Sequence, residues 1–191
     1  AAAAASTYGH ISTWDTSQVT NMAELFCSDN GITCAHYNNG AATFNEDISG
    51  WDVSQVTSMA LMFYGAMAFN QPLNNWDVSR VEDATGTFWA AMVFNQPLDS
   101  WDVSRVEDAS NMFRAAIAFD QDLSSWRLCS VTTINRMFWS ASAFNQDLSK
   151  WCFENDVMGH AGVFDDTACS GTSTSSASAG TYCGVTYGGC E

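Results

Sequence analysis

Trp51, Trp76, Trp101, Trp126 and Trp151 follow one another at intervals of 25 residues. Phe44, Phe69, Phe94, Phe119 and Phe144 keep the same period. Large apolar residues returning at a fixed interval of this size leave a chain little choice. Each interval is one unit of an array, and no unit buries its apolar face without its neighbours. The words between confirm the unit: FNQPLNNWDVSRVEDA at 69–84 returns as FNQPLDSWDVSRVEDA at 94–109. Trp14 opens the same word ahead of Trp51, and the longer first interval is accounted for by an insertion loop at 27–40.

Two periodicities alternate inside a unit. Leu73-x-x-Trp76-x-Val78-x-x-Val81 has the spacing of a leucine-rich repeat, with the in-and-out alternation of a half-buried strand. Met59, Met62, Phe63 and Ala66 stand at i, i+3, i+4 and i+7, the spacing of an amphipathic helix. Thr20, Thr57 and Thr132 sit where an N-cap belongs, and Glu82–Asp83 and Glu107–Asp108 place negative charge at the same point. The expectation is an α/β fold: a right-handed leucine-rich-repeat-like solenoid, with six parallel strands on one face and short helices on the other. It spans residues 1–165 and is followed by a Ser/Thr/Gly/Cys-rich tail at 166–191. The last unit drifts by one residue at Val157 and Phe164.

The words MFRAAIAFDQDLSSW, FNQDLSKW and WDVSQVTSMALMF resemble the BspA-like leucine-rich repeats, first noted in mycoplasma surface lipoproteins. The resemblance covers roughly residues 8–165. It implies a secreted or cell-surface protein used for adhesion or assembly, with no shared catalytic residues. Residues 126–130, where WRLCS replaces the usual WDVSQ, and the tail depart from the pattern.

Charge narrows the partners. The formal net charge is -15, which argues against nucleic acid or an anionic membrane surface. No apolar run reaches the ~18–20 residues of a membrane span. Seven cysteines are many for a cytosolic chain of this size, and none forms C-x-x-C. They read as disulfides of an oxidising, extracellular or cell-surface location. Cys27 and Cys34 are expected to close the inserted loop; Cys152, Cys169, Cys183 and Cys190 are the other candidates, with their pairing open. No nucleotide loop, nucleophile elbow or zinc-protease motif occurs, and His10, His36 and His160 are scattered, so an enzyme is not expected.

Candidate sites follow from the rows that the period creates. The Trp column reads as core, and the Asn after each second-column Phe as a turn-satisfying ladder. Asp15, Asp52, Asp77 and Asp102, with Ser17, Ser54, Ser79 and Ser104 beside them, form an outward row on the concave face. Two readings stand there: a hydrogen-bonded Asp–Ser ladder, or a site for glycan or for calcium, the one candidate cofactor. Arg127 and Lys150 change the sign of that face towards its C-terminal end. Tyr64, Trp89, Arg114 and Trp139 form a second row on the convex side, an expected contact stripe for assembly. The expected function is a structural, self-assembling subunit of a surface fibre or matrix. Its partners are then copies of itself or other surface proteins. The alternative is an adhesin or receptor module that binds glycan or calcium.

Overall fold

A computed structural model of the chain describes residues 7–28, 33–36, 38, 40–151, 153 and 160–169. The 25-residue unit is one coil of a stack, but among the described residues the expected strands and helices are absent. Among the described residues the regular elements are two short 3-10 helices, Ile11–Thr13 and Ala41–Thr43, and the two helical residues Thr7 and Tyr8. The α/β reading, with six strands and facing helices, is therefore overturned.

The reason lies in where alternate amides go. Over 59–66, the N–H groups of Met62, Tyr64 and Ala66 bond to carbonyls three residues back, closing consecutive tight turns. The N–H groups of Met59, Leu61, Phe63 and Gly65 instead donate to the carbonyls of Asp83, Thr85, Thr87 and Trp89 in the next coil. An α-helix needs every amide for its own i−4 carbonyl, so a segment that lends half of them to a neighbour cannot be one. Leu61 and Gly65 have φ of 56° and 67°, outside the right-handed helical region. Ala90, Asn111, Ala115, Arg136 and Ser140 repeat this conformation in later coils.

The expected strand resolves in the same way. Leu73-x-x-Trp76 and Val78-x-x-Val81 are each a turn, closed by Trp76 N–H to Leu73 O and Val81 N–H to Val78 O. Parallel pairing survives only as single-residue bridges that link Asn21, Ser58, Asp83, Asp108 and Thr133 in succession. Without helices, the threonines cap nothing helical. Thr57 and Thr132 Oγ1 donate to the carbonyls of Thr20 and Glu107 on the preceding coil.

The core is a set of columns running along the stack. Phe26, Phe63, Phe88, Phe113, Phe138 and Phe164 lie nearly parallel, with centroids 5.4–5.6 Å apart. Phe44, Phe69, Phe94, Phe119 and Phe144 form a second column at 5.8–6.1 Å. The two columns meet across each coil at 4.1–4.2 Å. Trp51, Trp76, Trp101, Trp126 and Trp151 are all buried. Each donates its indole N–H to a carbonyl one coil earlier, those of Ile11, Ile48, Leu73, Leu98 and Leu123. A buried indole that found no acceptor would cost about 1–3 kcal/mol, so this rung fixes how successive coils register. Phe164 continues its column, whereas Val157 lies outside the described residues.

Candidate functional site

Each coil is edged by short polar turns, and these decide what the outward carboxylates do. Asp15, Asp52, Asp77 and Asp102 each accept the backbone N–H of the serine two residues on, Ser17, Ser54, Ser79 and Ser104, at 3.0–3.1 Å. Ser79 Oγ adds a bond to Asp77 at 2.6 Å. The row is a series of side-chain-capped turns, in which one oxygen of each carboxylate is already occupied. Asp47, Asp122 and Asp147 do the same for Ser49, Ser124 and Ser149, a second row that the sequence reading passed over. Among the described residues, no three His, Cys, Asp or Glu side chains converge as a metal site.

These turns carry a pH dependence. The hydroxyl and then the backbone N–H of Ser17, Ser49 and Ser54 hold Asp15, Asp47 and Asp52 below the usual carboxylate value. For Asp122 and Asp147 the backbone N–H of Ser124 and Ser149 leads and the hydroxyl follows. A carboxyl depressed in the folded state stabilises it above the unfolded pKa and loses that contribution as pH falls through the folded one. Acid that protonates these five carboxylates removes what their turns contribute. Thermal melts should be flat from neutrality to about pH 4 and fall below it; a melting temperature that rises on acidification contradicts this.

The Asn row is a ladder between coils. Asn45, Asn70, Asn95 and Asp120 Oδ1 each accept the backbone N–H of the next member, Asn70, Asn95, Asp120 and Asn145, at 2.8–2.9 Å.

The convex row is also engaged within the chain. Tyr64 packs on Trp89 at 4.6 Å, and the Arg114 guanidinium lies 4.5 Å from the Trp89 ring and 4.2 Å from the Trp139 ring. Arg136 also lies 4.9 Å from the Trp139 ring, whose indole N–H donates to Asp166 at 3.3 Å. Burial and the nearby Arg136 press the Arg114 guanidinium below its ordinary value. Tyr64, Trp89, Arg114 and Trp139 are half-buried in a cation–π ladder of about four coils, not an open stripe.

Open surface lies elsewhere. Met67, Met92 and Ile117 hold one position in three successive coils, with Val93 beside Met92, and they are 48%, 38%, 46% and 45% exposed. The signal for this ridge was in the sequence, as the second residue before each second-column Phe. A groove of about 470 Å³ on the Asp/Ser face brings together Ser79, Asp102 and Ser104 with Thr57, Arg80, Glu82 and Arg105. Asp15, Asp52, Asp77, Ser17 and Ser54 are not part of its lining. Arg80 and Arg105 were the groove residues missed; they hold the same place in adjacent units, four residues after the Trp.

Cys27 and Cys34 form a disulfide that closes the inserted loop, with Cα atoms 6.5 Å apart. Cys169 is disulfide-bonded as well, and Cys129 is a free thiol. Cys152, Cys183 and Cys190 lie outside the described residues, as does the tail beyond 169. No described helix is long and apolar enough to cross a membrane.

Comparison with known proteins gives a family and no further relative. No curated protein and no solved structure matches the chain. A family model matches residues 2–98 and 73–175, which together take in nearly all of the repeat array. The chain belongs to that family, described as Mycoplasma protein of unknown function, DUF285.

Proposed function

We propose that the chain is a non-enzymatic extracellular repeat protein that works by contact, as a self-assembling structural subunit of a surface fibre or matrix. The observation that carries this reading is the apolar ridge of Met67, Met92, Val93 and Ile117. Scattered single apolar residues on a surface need no explanation, but three at one position of three neighbouring coils, with Val93 beside Met92, form an exposed apolar row. The chemistry of the row suits another such row, since the coil spacing of one copy matches that of a second. The Cys27–Cys34 disulfide suits an oxidising location. The finer likeness to BspA-like repeats supports a surface role.

The ridge gives a direct test. Ser142 occupies the same position one coil later, so a polar residue is compatible with the fold there. Replacing Met67, Met92 and Ile117 with Ser should leave the melting temperature within a few degrees of the parent. The same change should weaken association by about tenfold or more in sedimentation velocity. Association of the parent should strengthen with salt, because screening reduces the repulsion between chains of net charge -15. A monodisperse monomer at high concentration and high salt overturns the reading.

The alternative adhesin reading now favours glycan over calcium, because one oxygen each of Asp52 and Asp102 is committed to a turn and no three acidic side chains converge among the described residues, while the groove beside them stays open.

A further inference from the structure

We infer that the groove between the coils of Trp76 and Trp101 binds an acidic saccharide, whose anionic groups pair with Arg80 and Arg105. This inference does not depend on self-assembly, which uses a different face.

Four observations lead to it. The chain has six Lys and Arg residues against 21 Asp and Glu, so a cation without a carboxylate partner is unexpected. Arg114 and Arg136 are taken up by the tryptophan ladder. Among the described residues the ion pairs are those of His10 with Glu46 and His36 with Glu24, so Arg80 and Arg105 have none. The two arginines nevertheless sit on neighbouring coils in one groove.

An anion placed between them would accept charge-assisted hydrogen bonds from both guanidiniums. Arg80 is also oriented: its guanidinium donates to Gln55 Oε1 at 2.7 Å, which holds the head group along the coil edge.

The remaining lining selects among anions. Glu82 and Asp102 offer carboxylate oxygens, and Ser104 a hydroxyl, beside the arginine pair. These groups accept from the hydroxyls of a sugar ring. No aromatic or aliphatic side chain lines the groove, which disfavours apolar ligands. Its volume lies within the ~300–1,000 Å³ usual for small-molecule sites. A saccharide with about one negative charge per ring meets all of these conditions.

Carboxylate and sulfate ester share this chemistry, and the test separates them. The intact chain is titrated by calorimetry with oligogalacturonate, with its methyl-esterified neutral counterpart, and with a sulfated oligosaccharide of similar length. The acidic probes should bind, weakening with salt, and the neutral ester should bind at least about tenfold more weakly. The acidic probe that binds tighter names the anion. Arg80→Gln with Arg105→Gln should abolish most of the binding. Arg127→Gln with Lys150→Gln makes the same change in net charge outside the groove and should retain it. Equal loss in both pairs means diffuse electrostatic attraction and overturns the site. Equal binding of the ester, or no binding of any probe by a chain whose melting curve is normal, overturns it as well.

Discussion

Phe113→Ala should destabilise the chain by about 3–5 kcal/mol, the usual cost of removing a fully buried phenylalanine. The ring has no exposed surface and lies between Phe88 at 5.5 Å and Phe138 at 5.4 Å, with Phe119 at 4.1 Å across the coil. Coils above and below cannot close the space, because each is held by backbone bonds on both sides: Phe113 N–H to Met137 O, and Phe88 N–H to Met112 O. The position is central, so its loss weakens both interfaces of one coil and uncouples the flanks of the array. Urea denaturation should show a lower midpoint and a broader transition. A loss under about 1 kcal/mol would mean that the phenylalanine columns are not what joins the coils.

The double change Trp89→Ala and Trp139→Ala should cost roughly 2–4 kcal/mol of stability, from lost cation–π contacts and lost apolar burial. Arg114 lies against both rings, Arg136 also lies over Trp139, and Asp166 accepts its indole N–H. Removing both rings leaves a half-buried guanidinium without its faces. The sequence alone suggested the opposite outcome, a folded variant that no longer assembles. The two outcomes separate cleanly in paired melting and sedimentation runs. Unchanged stability with lost association would restore these tryptophans as an assembly contact and sink the ladder as a stabilising element.

What sequence alone determined here is which side chains face inward and how the units align. Trp76, Phe88, Phe94 and Leu98 recur at a fixed interval and are all buried, because a column of large apolar rings is stable only in step with the next unit. The helical spacing of Met59, Met62, Phe63 and Ala66 likewise marked buried residues correctly, although the backbone that carries them is not a helix. Turns closed every two residues put those four positions on one side just as a helix does, so a pattern of burial cannot tell the two apart. Backbone conformation was decided by tertiary structure. Leu61 N–H finds its acceptor at Thr85, 24 residues ahead, and no local propensity encodes a partner that distant. The same holds for the surfaces. Trp89, Arg114 and Trp139 read as an outer stripe until their neighbours on adjacent coils covered them. Arg80 and Arg105 carried no reading in the sequence, and stacking brings them into one groove.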